Sequence, residues 1–249
     1  MKHRRTNQGR SESADGGLWL YGLHAARAAL ANPQRRCRRC VLTRQAAEEL
    51  GSAVPRTLSV RIAAPDEISR LLPSGAVHQG IALACDPLAR RALDGILTGE
   101  DRQIVLVLDQ ISDPHNVGAI LRSATAFDVA GVVVQDRHAP PESGALAKAA
   151  SGGLDMVPYL SVVNIARTLE ELGEAGFWRI ALASESGRTL ADAKGPRNLA
   201  LVLGSEGSGI RRLVRARCDE EASLPIAGRM KSLNVSNAAA IALYECRRA

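Results

Sequence analysis

The stretch that most constrains this chain is the uninterrupted apolar run Ile104-Val105-Leu106-Val107-Leu108. A strand with one wet face alternates apolar and polar side chains. A run without a polar break needs cover on both faces, and that points to a parallel sheet with helices above and below it. Further strands are expected at 132–134, 180–183, 199–203 and 222–225, with helical periodicity between most of them. The second half of the chain is therefore expected to be an open parallel α/β sheet.

Upstream, residues 21–86 alternate helical segments (23–30, 46–50, 68–72) with short strands (40–43, 59–63, 81–84), the pattern of a small separate α/β domain. Hydrophobic periodicity lapses between them. The expected division is a small domain over 18–87, a linker over 88–102 and a larger domain over 103–249. Residues 1–17 carry Lys2, Arg4, Arg5 and Arg10 among polar spacers with no apolar core behind them, so they read as a disordered basic tail suited to nucleic acid rather than a signal peptide.

Composition narrows the function. With 46% apolar residues over 249, the chain can bury real cores, and no apolar stretch approaches the roughly 18 to 20 residues of a membrane-spanning helix. A cytoplasmic protein with no membrane partner is expected. The excess of 32 basic over 26 acidic side chains, net +6, suits a polyanionic partner without proving one. Five scattered cysteines do not make a disulfide framework and fit a reducing compartment. Cys37-Arg38-Arg39-Cys40 has CxxC spacing, but no second ligand pair follows, so no metal is expected.

Three segments could carry chemistry. The first follows the 104–108 strand: Asp113-Pro114 makes a turn, Asn116 is placed to cap a helix with apolar Val117, Ile120, Leu121 and Ala124, and Arg122 falls off that apolar stripe. There it would lie past the carboxyl end of a parallel strand, where open α/β sheets bind ligands. Taken alone, it could equally be a solvated surface arginine. The second is Gly204-Ser205-Glu206-Gly207-Ser208-Gly209 after the strand at 199–203. Its glycines permit close backbone approach to a ligand, but its order fits neither a P-loop, a dinucleotide fingerprint nor a hydrolase elbow. Alone, it is also a plain turn with a glutamate at a helix start. The third is Leu224-Pro225-Ile226, followed by Ser232-Leu233-Asn234-Val235-Ser236 opening an alanine-rich helix. This could hold a polar cofactor or be an N-cap cluster on a packed helix.

Taken in order, Asn116 to Ser123, Leu203 to Gly209, and Leu224 to Ile226 with Ser232 to Ser236 resemble the three motifs of the SpoU branch of the SPOUT RNA methyltransferases. Leu20-Tyr21-Gly22-Leu23-His24-Ala25 and Val77-His78-Gln79-Gly80-Ile81 resemble the amino-terminal substrate-binding domain of its ribosomal RNA members, similar in fold to ribosomal protein L30e. The resemblance is strongest to members that methylate the ribose 2′-hydroxyl of a guanosine in the peptidyl-transferase loop of 23S rRNA. It implies S-adenosylmethionine as cofactor, a trefoil knot at the cofactor site and a homodimer.

By the same resemblance, Gly204, Leu224, Ile226 and Leu233, with Ser184 more weakly, hold the cofactor. Arg122 matches the family's catalytic arginine, and Asn116, Glu206, Ser232 and Asn234 the remaining polar positions. A neutral guanidine is scarce at physiological pH, because arginine's pKa lies above about 12, so a phosphate clamp asks less of Arg122 than proton abstraction does. With few aromatic side chains to stack bases, RNA recognition is expected through phosphates and shape, with Arg35, Arg36, Arg38 and Arg39 as the densest basic cluster. The rival readings are the same chemistry on tRNA or another rRNA site, and a non-catalytic RNA-binding or ribosome-assembly protein.

Overall fold

The computed structural model describes residues 17–97, 99, 102–195, 197–228 and 230–248; the basic tail expected over 1–17 falls, up to residue 16, outside them. In chain order the first elements are β1 (Leu18–Tyr21), α1 (Leu23–Ala31), β2 (Cys37–Leu42), α2 (Arg44–Leu50), β3 (Ser59–Ile62), α3 (Pro65–Ser69) and β4 (Ile81–Cys85). Then come β5 (Ile104–Asp109), α4 (Pro114–Ala126), β6 (Gly131–Gln135), α5 (Gly144–Ala150), α6 (Gly153–Met156), β7 (Tyr159–Val162), α7 (Ile165–Glu174) and β8 (Trp178–Leu182). The chain ends with α8 (Leu190–Ala193), β9 (Leu199–Gly204), α9 (Arg212–Arg215), β10 (Glu220–Ala222) and α10 (Val235–Arg247). No described helix is long and apolar enough to cross a membrane.

The chain forms two compact units. The first comprises residues up to Ala89 together with Pro141–Asp155. Its sheet has the order β1-β4-β2-β3, with β4 antiparallel to both neighbours and β2 parallel to β3. Trp19, Tyr21, Val41, Ile68, Leu72 and Ala82 form a core cluster. β1, too short and aromatic to stand out as a strand in the sequence, closes one edge.

The unit is discontinuous for visible reasons. α5 approaches β1 so closely that a Cβ on Gly144 would lie 2.4 Å from the Trp19 carbonyl oxygen and from the Tyr21 ring. At the two ends of the same segment, Glu142 and Asp155 take the guanidinium of Arg35: Nη1 pairs with Glu142, and Nε lies 2.8 Å from Asp155 Oδ1. Arg35 is 5% exposed. Burial works against its charge, but the hydrogen bond to Asp155 and the neighbouring carboxylates outweigh it and raise its pKa. This corrects the expectation that Arg35 contacts RNA. It is an internal clamp that a backbone phosphate cannot reach.

The second unit comprises Arg90–Pro140 and Met156–Ala249. Its six-stranded sheet is parallel throughout, in the order β10-β8-β9-β5-β6-β7. β5 is buried at every position, as its unbroken apolar run demands. One cluster joins Val105, Val107, Val133, Ala200 and Val202 of the sheet to Ile165, Leu169 and Leu172 of α7. α10 packs against α4, α8 and β9. β6 and β7 lie on one side of β5, and β9, β8 and β10 on the other. The order therefore changes direction at the β5/β9 pair, where open parallel sheets leave a crevice beyond the strand ends.

Candidate active site

The crevice is built from the segments that leave the carboxyl ends of β5, β8, β9 and β10. After β5 the helix begins earlier than the sequence suggests. Asp113, not Asn116, is the N-cap, its carboxylate accepting from the His115 N–H at 3.0 Å, and Pro114 takes the first helical position, where its missing N–H costs nothing. Asn116 thus sits inside the first turn with its side-chain amide released from capping. Arg122 is exposed on the same helix, about 9 Å further along its axis.

The segment expected as a strand over 222–225 pairs only at Ala222, in β10, and at Ser223, through a single bridge to Thr189, leaving Leu224, Pro225 and Ile226 as loop. Pro225 lacks the N–H that a continued ladder would need. The loop instead lines a cleft of about 440 Å³ together with Leu182, Ser184 and Glu185 after β8, the glycine loop 203–210 after β9, and Ser232, Leu233 and Val235 at the start of α10. Gly204, Leu224, Ile226, Leu233 and Ser184, the residues expected to hold the cofactor, all face this one space, and so does Ser232.

The glycine at 204 is required sterically. A Cβ there would lie 2.2 Å from the Gly209 carbonyl carbon and 2.3 Å from Ile210 N, because the loop folds back on itself through a bridge between Ser205 and Gly209. Gly207 and Gly209 have φ of 98° and 66°, in the left-handed region. The result is a cradle of loop backbone lined both by apolar Leu224, Ile226 and Leu233 and by polar Ser184, Glu206 and Ser232. Such a lining suits a flat adenosine body with a charged tail.

At the rim three motif segments meet on one carboxylate oxygen. Glu206 Oε1 accepts from Asn234 Nδ2 at 2.8 Å, from the Val235 backbone N–H at 3.2 Å and from Asn116 Nδ2 at 3.4 Å. Asn234 Nδ2 also donates to Asn116 Oδ1 at 3.0 Å. Asn234 is the N-cap of α10 as well, its Oδ1 accepting from Ser236 N at 2.9 Å. One asparagine therefore ends the third motif, starts the helix and fixes the glutamate. Arg122 and Ser232 make no part of this hydrogen-bonded triad.

Some residues at the site escape a reading of the sequence. Glu185, Arg215 and Lys231 line the cleft, and Arg215 is paired with Glu221. Arg215 belongs to Arg211-Arg212-Leu213-Val214-Arg215-Ala216-Arg217, with as many arginines as the 35–39 cluster over a slightly longer stretch, and the available signal for a charged cleft wall. No cysteine is among the described residues that line the cleft, and burial pushes Cys40, Cys85 and Cys218 up to about 12 and Cys246 up to about 11, and raises Cys37 as well.

Of the remaining expected RNA contacts, Arg36 projects into solvent with a long ion-pair distance of 3.9 Å to Asp86, and Arg38 pairs with the same carboxylate at 2.6 Å while staying partly exposed. Arg39 turns back over the Trp19 ring, 4.9 Å from its centroid. A guanidinium stacked on its own domain is poorly placed for an extended phosphate track.

Known proteins resemble this chain over most of its length. The SpoU rRNA Methylase family matches residues 103–244, and the family of RNA 2′-O ribose methyltransferase substrate-binding domains matches 19–90. The chain is 37% identical over 237 residues to a 23S rRNA (guanosine-2′-O-)-methyltransferase of Vibrio vulnificus, covering 92% of this chain and 96% of that protein. It is 42% identical over 177 residues to the protein of the same name in Escherichia coli, covering 70% and 73%. The SpoU methyltransferase AviRb of Streptomyces viridochromogenes, solved in complex with AdoMet, superposes with a TM-score of 0.78 at 24% identity, covering 93% and 89%.

Proposed function

The chain belongs to the SpoU rRNA methylase family, and from that premise we propose that it methylates the 2′-hydroxyl of a guanosine ribose in the peptidyl-transferase loop of 23S rRNA. It is an S-adenosylmethionine-dependent RNA ribose 2′-O-methyltransferase. The observation that carries the site assignment is the meeting of Asn116, Glu206 and Asn234, from three separate motifs, at the mouth of the one cleft that also gathers Gly204, Leu224, Ile226, Leu233 and Ser184.

S-adenosylmethionine supplies a sulfonium-activated methyl group when bound, so alignment is most of the protein's task. The cradle formed by Gly204, Leu224, Ile226 and Leu233 would take the adenosine by backbone contacts, for which small and apolar side chains suffice. Glu206 holds the Asn116 and Asn234 amides in one orientation, fixing the polar rim against which a ribose is presented. Arg122, exposed and cationic, would clamp the phosphate next to the target sugar with its two-pronged guanidinium, leaving that phosphate or water to take the hydroxyl proton. The activated methyl group needs no metal ion in this scheme. Exposed Arg36 and Arg38 supply phosphate contacts in the first unit.

We assign the homodimer to the face of α10 that carries exposed Ile241 and Tyr244, the latter edge-on to Phe127 at 6.4 Å. The trefoil knot at the cofactor site and a cytoplasmic location are part of the same reading. Arg122→Lys tests the clamp. Lysine keeps the charge and loses the bidentate fork, so turnover should fall severalfold or more while cofactor affinity holds; near-normal turnover would remove the clamp from the mechanism.

A further inference from the structure

We propose that Asp109 and Arg211 form a positioning pair for methyl transfer, fixing both ends of the glycine loop to a single residue, one through the strand ladder and the other through its carboxylate. The proposal rests on the cleft being the S-adenosylmethionine site and names residues outside the three motif segments. Asp109 is the last residue of β5 and is 0% exposed, the only acidic residue among the described residues that is buried as a whole. In the ladder between β5 and β9 it stands opposite Gly204, where the loop begins. Where the loop ends, Arg211 donates to it three times: backbone N to Oδ2 at 2.8 Å, Nε to Oδ1 at 2.8 Å and Nη2 to Oδ1 at 2.6 Å. The loop thus leaves and returns to the same residue, with Glu206 held between.

The pair also reaches the first motif. Gln110, next in sequence to Asp109, has φ of 59°, a left-handed conformation that a side chain other than glycine adopts only when its surroundings impose it. That turn starts the chain on its way to Asp113 and Asn116. A shift of Asp109 would therefore move Asn116 on one side and Glu206 on the other, and their hydrogen bond would not survive intact. Arg211 is partly exposed yet its charge is spent inward, and Ile210, the residue before it, lines the cleft. Neither side chain needs to touch the substrate to govern the geometry of those that do.

The test uses the full chain with Arg211→Gln, Arg211→Lys, Asp109→Asn and the double variant Asp109→Asn/Arg211→Gln. Thermal melting, S-adenosylmethionine affinity by calorimetry, and kcat and KM for methyl transfer to unmodified 23S rRNA are measured for each. Loosening the loop by a fraction of an ångström to 1 Å should raise the cofactor Kd about tenfold and lower kcat roughly 10- to 100-fold, with KM for RNA unchanged. Arg211→Lys should recover part of the loss by restoring the ion pair without the fork. The double variant should be no worse than the poorer single one, because both act through one contact.

Asp109→Asn is close in shape to the native residue and keeps one acceptor, so it serves even if Arg211→Gln folds poorly. Lower melting temperatures with wild-type cofactor affinity and kcat in the folded enzyme would overturn the proposal and leave a merely structural ion pair. Multiplying effects in the double variant would overturn it too. A wild-type protein that bound no S-adenosylmethionine would refute the functional reading and this pair with it.

Discussion

Replacing Glu206 by alanine removes the acceptor on which three motif segments converge, and the structure allows its effects on stability and on activity to be separated. Oε1 receives hydrogen bonds of 2.8, 3.2 and 3.4 Å from Asn234, Val235 and Asn116. Glu206 and Asn234 are exposed, so water can replace much of what is lost, and the net cost of the hydrogen bonds is about 1–1.5 kcal/mol. Losing a carboxylate beside the first turn of α10 adds about 0.5 kcal/mol. The sum, about 2 kcal/mol, corresponds to a fall of roughly 4–8 °C in melting temperature for a protein of this size.

Activity should suffer far more. Freed from their common acceptor, the two amides no longer hold one orientation. A displacement of about 1 Å at a reacting centre costs roughly a hundredfold in rate, equivalent to about 2.7 kcal/mol of barrier. Single-turnover transfer of labelled methyl from S-adenosylmethionine to 23S rRNA, measured well below both melting temperatures, separates the two effects. Glu206→Gln, which retains one oxygen, should fall between. A Glu206→Ala enzyme that is cooler-melting but transfers methyl within about threefold of wild type would refute the reasoning and demote the triad to a surface network.

The geometry dictates three further outcomes. Gly204→Ala would put a methyl group 2.2 Å from backbone atoms that cannot yield cheaply, so S-adenosylmethionine affinity should drop by about tenfold or more in calorimetry, with the sheet still folded. Arg35→Ala would leave the Glu142 and Asp155 carboxylates without their buried counter-charge, a loss of about 3–5 kcal/mol visible as a large fall in melting temperature and as faster hydrogen exchange across 141–155. Arg36→Ala/Arg38→Ala should weaken 23S rRNA binding without changing cofactor affinity and reduce the slope of log affinity against log salt by about 1–2; an unaltered slope would take both side chains out of the interface.

Much of the fold is legible in the sequence because it depends on local pattern. β5 announces itself by an apolar run that only a doubly covered strand tolerates, and the glycine loop and the Asn234 segment stand out by composition. The hidden features depend on tertiary partners. Nothing near Arg35 in the chain reveals that Glu142 and Asp155, more than a hundred positions away, will bury its charge, so a cluster of arginines that reads as uniformly solvent-facing divides into a clamp, a ring-stacked residue and two exposed cations. Asn116 looks like a cap because it belongs to a residue type that caps; Asp113, also of that type and followed by proline, has the stronger claim. Asp109 reads as no more than the polar end of a strand, and only the fold shows that Arg211 returns to it.

In the proposed function the cleft and its rim direct the methyl group of S-adenosylmethionine to a ribose in 23S rRNA. The most direct measurement supplies labelled S-adenosylmethionine to separate pools of unmodified 23S rRNA, 16S rRNA and tRNA, with wild type and Arg122→Ala side by side, and maps the methylated nucleotide. Label is expected on the 2′-oxygen of a guanosine in the peptidyl-transferase loop of 23S rRNA with wild type and none with the variant. Label confined to tRNA or 16S rRNA would contradict the target, and label undiminished in Arg122→Ala would contradict the role given to that arginine.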